Sequence, residues 1–286
     1  MFAKNLEAVV PAVPGSVLVI VCFVIPIFSL LLVSFYAYDA FSINGIDSSR
    51  GFTLDNFVIF ANSAYYVSVL WTTLRIALIS SVACLSVSYP TAYYIARPGN
   101  RAFKRVLFVL IVISFFMNAI VRLYSWLLML GDYGVINSTI SIFGIPPIRL
   151  LHTDFGIEIA IVQWTLPIVV LTLVGTFRNI RPSLLEASES LGANSRHTFL
   201  HVTLPLSLPG VISGFLLAYT LNMGAFTVPV ILGGGLVNML ASQIYNGFLE
   251  IDNYPLGATL SVVLLATSLL ASYAINTILS RRLRIK

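Results

Sequence analysis

The chain has 286 residues, 58% hydrophobic and only 9% charged, with a mean hydropathy of +0.94, a formal charge of +5 and a pI near 9.3. So few charged residues cannot furnish the exterior of a soluble domain, and the basic balance is explained by where the cations sit rather than by nucleic acid. The composition defines an all-α, polytopic membrane protein.

A span needs about twenty apolar residues to cross the hydrocarbon core. Six segments qualify, at about 13–35, 67–95, 106–130, 157–177, 206–232 and 256–279. The first, Val13 to Phe35, follows Lys4 and contains Pro26. It is longer than a signal-peptide core and other spans follow it, so it is read as a retained helix. The polar stretch around Asn44 to Gly51 reads as a loop, and Thr53 opens a short capped helix with Phe57, Phe60, Tyr65 and Tyr66 at headgroup level. Cys22 and Cys84 fall in separate spans, which implies neither a disulfide nor a metal site. A basic turn, Arg97 to Arg105, separates the second and third spans. Pro90, Pro167 and Pro229 lie within or near span ends, and Asn222 and Gly224 lie inside the fifth. A hinge and simple shape complementarity are both open readings of these prolines. Gly233 to Gly235 read as an outer loop that another protein can approach closely.

Orientation follows from the loops. Lys4, Arg97, Arg101, Lys104, Arg105, Arg178, Arg181, Arg196, Arg281, Arg282, Arg284 and Lys286 share one side of a six-span arrangement. The other side holds Asp39, Asp47, Asp55, Asp132, Asp154, Glu158, Glu250 and Asp252, opposed by Arg50 and Arg149. The positive-inside rule then places both termini and the loop at 178–205 in the cytoplasm.

That loop contains SLLEASESLGANSRHTFLHVTLPLSLP, from Ser183 to Pro209. Ser183 and Glu186 have the spacing of a capping box, which predicts a helix beginning at Ser183. Gly192 is placed to end it in a left-handed conformation, and Asn194 or Ser195 caps a second helix through Arg196, His197, Phe199 and Leu200. Leu184, Leu185, Leu191, Phe199 and Leu200 supply an apolar face. Pro205 and Pro209 mark the start of the next span.

Glu186, Ala187, Gly192, Val202, Leu204 and Pro205 carry the spacing of the EAA loop, and in this the chain resembles the permeases of bacterial ABC importers. Ser188 stands where a second Ala is usual and Val202 where Ile is. The resemblance implies a type I importer permease fold, with residues 1–286 as one transmembrane domain and 178–205 as its coupling loop. Glu186, Ala187, Ser188, Gly192, Leu204 and Pro205 would dock against cytoplasmic ATPase subunits. The other implied partners are a second, paralogous permease and a periplasmic solute-binding protein, at the inner membrane. The stretches FTLDNF, Phe52 to Phe57, and MNAIVRLYSW, Met117 to Trp126, are similar to the spermidine/putrescine branch. That branch implies a polyamine solute; an amino acid derivative, an anionic solute and a secondary transporter are the alternatives.

No G-x-x-x-x-G-K-[ST] cradle occurs in the sequence, so ATP and Mg are assigned to the partner ATPase and no cofactor to this chain. His197 and His201 are spaced i, i+4 but lack the intervening Glu of a zinc helix, so no metal is expected. A transport subunit rather than an enzyme is expected. For the substrate path the candidates are Arg75, Arg122, Tyr124, Trp126, Asp132, Trp164, Asn222 and Asp252. A charge inside a span is costly unless it faces a cavity or a partner, so Arg75 and Arg122 either border the path or hydrogen-bond to backbone carbonyls. A polyamine calls for aromatic faces and carboxylates around its ammonium groups, yet the spans carry arginine and no central carboxylate.

Overall fold

A computed structural model describes residues 17–42 and 45–283; Lys4, Val13 to Ser16 of the expected first span, Asn44, Arg284 and Lys286 lie outside the described residues. The chain divides into two compact units, one comprising residues up to Ser68 with Gln243–Ala266, the other Val69–Ser242 with the chain from Thr267.

In the first unit, helix α1 (Val17–Val33) is apolar and exposed at every position from Val17 to Leu32, a surface that suits lipid and not water. A π-helical turn, Ile20–Val24, stands just before Pro26, where the ladder lacks a donor. The polar stretch expected to be loop is instead an antiparallel hairpin, β1 (Tyr36–Tyr38) with β2 (Ile46–Phe52), with Tyr36 opposite Phe52. Helix α2 (Asp55–Asn62) follows, and Thr53 Oγ1 accepts the Asp55 N–H at 3.1 Å. Asn56 is buried, and its amide donates to the carbonyls of Ser34 at 3.2 Å and Tyr36 at 2.7 Å. Thr259 Oγ1 donates to the same Ser34 carbonyl at 3.2 Å. These polar ties join the end of α1 to the hairpin and to helix α12, whose range is given below.

The second unit holds most of α3 (Ala64–Ala96), then α4 (Arg101–Phe116), α5 (Ala119–Leu130), α6 (Val135–Ile142), α7 (Asp154–Arg178), α8 (Pro182–Ser190), α9 (Ser195–Met223) and α10 (Thr227–Leu232). Helices α11 (Leu240–Leu249) and α12 (Tyr254–Leu283) contribute to both units. Among the described residues, five helical stretches are long and apolar enough to cross a membrane: Ala64–Ala96, Ala119–Ile142, Asp154–Arg178, Ser195–Met223 and Tyr254–Leu279.

Two expected spans are interrupted. The segment expected at 106–130 is two helices, because Met117 is extended and Asn118 caps α5 by accepting the Ile120 N–H at 2.8 Å. The segment expected at 206–232 ends at Met223; Gly224 closes α9, and α10 is a separate short helix. At its other end the helix expected after Asn194 or Ser195 starts at Ser195 and, rather than ending before the span, runs through a π-helical turn, Phe199–Thr203, into it.

Helix α7 is central to this unit. Val169, Val170, Leu173, Val174 and Phe177 are buried with Cys84 and Ala92 of α3, Ile111 of α4 and Ala218 of α9. A second cluster joins Ile157, Ala160 and Ile161 of α7 to Ile76, Leu123, Val228 and Leu232. Lipid supplies no hydrophobic drive between helices, so close packing of small residues must supply it. Gly210 of α9 does so, lying so close to Thr176 of α7 that a Cβ there would collide with the Thr176 side chain.

Candidate functional site: a surface hook and an inner cavity

The loop at 178–205 forms a hook of two helices. Its first helix, α8, starts at Pro182 with Arg181 as N-cap and no side-chain cap, so the expected Ser183–Glu186 capping box is absent. Proline's fixed φ favours the first helical position, which moves Ser183 inside the turn. Gly192 has φ +83°, as expected of a left-handed terminator. Its N–H donates to the Glu189 carbonyl at 2.9 Å and the Ala193 N–H to that of Ser188 at 3.1 Å, a complete Schellman closure. Asn194 then caps α9, accepting the His197 N–H at 2.8 Å.

Glu186 and Ala187 are exposed, while Ser188, the departure from the usual Ala, is half-buried with its Oγ 3.0 Å from Thr198 Oγ1. That hydroxyl pair spans the bend and braces α8 against α9. Leu184 and Leu200 are exposed, and Leu191 is 88% exposed at the tip. Phe199 instead turns inward, with its ring 6.2 Å from that of Tyr89 and 5.3 Å from that of Tyr93. Both tyrosines also meet Phe177, at 5.1 and 5.5 Å, so the hook is pinned to α3 and α7 by four rings. Leu204 and Pro205 open the α-helical part of α9 beyond the π turn. His197 and His201 stack at 4.0 Å, and among the described residues no group of three or more His, Cys, Asp or Glu side chains is placed to hold a metal.

A cavity of about 270 Å³ lies at the opposite end of α9, lined by Ile161, Trp164, Asn222, Gly224, Phe226 and Thr227 among others. Asn222 is 0% exposed; its Nδ2 donates to Ser81 Oγ at 2.9 Å, and its Oδ1 has no partner. An amide carbonyl buried in this way is an acceptor awaiting a donor. Trp164 supplies an aromatic face, and the end of α9 turns carbonyls toward the same region, where a helix dipole is negative.

Arg122 is buried beside this cavity. Its guanidinium lies 5.1 Å from the Trp164 ring and donates to the carbonyls of Ser114 and Met117, the latter at 3.2 Å. It thus takes up acceptors freed where α4 ends, although its Nε remains without a partner. Trp126 reaches Gln163 at 3.5 Å, and Gln163 donates to Ser114 Oγ at 2.9 Å. Arg75 is elsewhere, paired with Asp154. Tyr124 and Asp132 are exposed and do not line the cavity. Asp252, with φ +54°, belongs to the other unit.

Trp164, Asn222 and Arg122 were thus legible in the sequence, whereas Gln163, Ser81 and the lining segment Ala225 to Val228 were not. A Gly between two apolar runs, and a lone Gln inside another, were the available signals.

A multispanning helical body with a polar hook between two spans and a cavity at the far end of the hook's own helix is the architecture of a membrane permease. Residues 88–285 match the family described as binding-protein-dependent transport system inner membrane component, and the chain belongs to that family. It is 32% identical over 267 residues to the spermidine/putrescine transport system permease protein PotB of Haemophilus influenzae, covering 92% of this chain and 91% of that protein. The PotB of Escherichia coli strain K12 is 34% identical over 215 residues, 74% of this chain and 78% of the relative. The membrane fold superposes on a chain from the crystal structure of a bacterial alginate ABC transporter in complex with alginate pentasaccharide-bound periplasmic protein, with TM-score 0.81 and 13% identity over 99% of this chain and 96% of the other. The chain is therefore a multi-pass inner-membrane component of an ABC transport system.

Proposed function

We propose that this permease imports a polyamine, spermidine or putrescine, under the drive of ATPase subunits that dock on the hook. The observation that carries the docking role is the hook's construction. Its bend is closed by Gly192 and braced by Ser188 and Thr198, while Glu186, Ala187 and Leu191 are presented outward. In this reading the hook is cytoplasmic, both termini lie on its side, and ATP and Mg are held by the partner. Residues 1–286 act as one permease domain beside a second, paralogous permease, and a periplasmic protein delivers the solute.

The polyamine assignment is supported by the PotB relatives and by the cavity. Asn222 Oδ1 can accept from an ammonium N–H of a cation held in the cavity. The arginines that favoured an anionic solute are already engaged, Arg75 by Asp154 and Arg122 by backbone carbonyls and Trp164. Alternating access then requires that the loaded receptor and ATP each favour a different conformation of the permease.

The test is reconstitution of the permease with its ATPase, its paralogue and its receptor in liposomes, followed by uptake of labelled spermidine. Saturable, ATP-dependent uptake that unlabelled putrescine competes is expected. Uptake of an anionic solute with indifference to polyamines would overturn the substrate, and uptake independent of ATP would overturn the importer.

A further inference from the structure

A second cavity, of about 940 Å³, lies between the hook and the ends of the spans, and the reading above leaves it without a ligand. Its walls carry Arg97, Arg101, Lys104 and Arg178 against Glu186 and Glu189. Among the described residues none of these six side chains forms an ion pair, so an excess of two positive charges is left uncompensated. Arg97 is half-buried. One of its terminal nitrogens reaches Thr203 Oγ1 at 3.4 Å, while its Nε is buried with no hydrogen-bond partner. A guanidinium beside three further cations in a cavity with surplus positive charge offers its terminal nitrogens to an oxyanion. The first turn of α8, at Pro182, opens on the same cavity and has no side-chain cap.

Depth along the spans indicates which oxyanion. Arg97 sits 5.4 Å from the Tyr93 ring and Lys104 5.5 Å from the Tyr94 ring, at the end of α3. Paired aromatics and cations at the end of a span mark headgroup level, where basic pockets between helices hold lipid phosphates.

We propose that this cavity binds a phosphate group, with Arg97, Arg101 and Lys104 as its donors, and so ties occupancy at the membrane surface to the position of the hook. The proposal rests on the membrane depth of α3 and not on ATPase docking. Glu186 and Glu189 form the opposing wall, so a bound phosphate and the hook's carboxylates repel, and occupancy works against the ring contacts that pin the hook.

The experiment uses the full chain purified in detergent, with dihexanoyl phosphatidylglycerol, dihexanoyl phosphatidylcholine and inorganic phosphate as separate probes in a binding titration. Saturable binding of the phosphatidylglycerol and not the phosphatidylcholine is expected. Arg101→Gln, at an exposed position, should weaken it about fivefold, and Arg97→Gln with Lys104→Gln should weaken it further. Glu186→Gln should tighten it. If inorganic phosphate binds as well as the lipid and shows the same dependence on Arg101, the site stands and its ligand is a free phosphate. No saturable binding of either probe, or binding unchanged by Arg101→Gln, would overturn the proposal. Co-purification of the ATPase, measured on the same samples, separates this outcome from a failure of the docking reading.

Discussion

Asn222 of α9 donates its side-chain amide to Ser81 of α3 at 2.9 Å, which fixes the amide plane and leaves Oδ1 buried with no partner of its own. Asn222→Leu keeps the volume and removes the acceptor. Spermidine uptake by the reconstituted transporter is expected to fall at least about tenfold, the scale of one lost hydrogen bond to a charged group, with membrane insertion unchanged. Ser81→Ala should cost less, because Oδ1 survives. Equal uptake by Asn222→Leu and the parent would remove this residue from the solute path.

Arg122 satisfies carbonyls at the end of α4, so its loss should be felt in stability before transport. Arg122→Ala leaves buried acceptors bare and is expected to lower stability by about 1–3 kcal/mol. Arg122→Lys should recover only part of that, since an ammonium can donate to both carbonyls from one nitrogen, as Nη2 does, but cannot stack on Trp164 as a guanidinium does. Thermal unfolding of the detergent-solubilised chain checks both; full recovery by Lys would show that the contact with Trp164 adds nothing.

Gly192 at φ +83° sets a ranking rather than a single outcome. Asn tolerates the left-handed region, Ala pays about 1–2 kcal/mol, and a β-branched residue pays more. ATPase co-purification should therefore decline in the order Gly, Asn, Ala, Val at position 192. A Cβ there meets nothing within 4 Å, so any loss reports backbone strain and not a clash.

Gly210 makes the opposite case, with ordinary backbone and no room. Gly210→Ala drives a Cβ into Thr176 and should lower expression of folded permease sharply. Thr176→Gly should restore part of it. Size-exclusion profiles of the single and double variants distinguish rescue from two independent losses.

Much of this molecule could be read from the chain, and the misses have physical causes. Apolar runs locate helices because lipid demands them, and Gly192 and Asn194 announced a bend that only a left-handed residue and a side-chain cap can make. The breaks at Met117 and Gly224 were hidden because hydropathy is blind to where a ladder stops: Asn118 is one polar residue between long apolar runs, and the segments on either side of Gly224 remain apolar. Ser183 misled because its spacing to Glu186 fits a capping box, while Pro182 has the stronger claim on the first turn. The hairpin was missed because Tyr36 to Tyr38 is too short to show alternation. In the cavity, Trp164 and Asn222 are conspicuous as polar or bulky residues inside spans, whereas Ser81 matters only through a contact made across 141 positions of sequence.

Helix α9 has one further consequence. Asn194 caps its foot in the hook, and Asn222 stands near its head, 28 residues away, a length of about 42 Å at the rise of an α-helix. If ATPase subunits dock on the hook as proposed, foot and head act as one push rod, and no relay of side chains has to carry the stroke from the nucleotide engine to the solute. A flexible joint cut into the middle of that rod should leave hydrolysis running and cargo standing still.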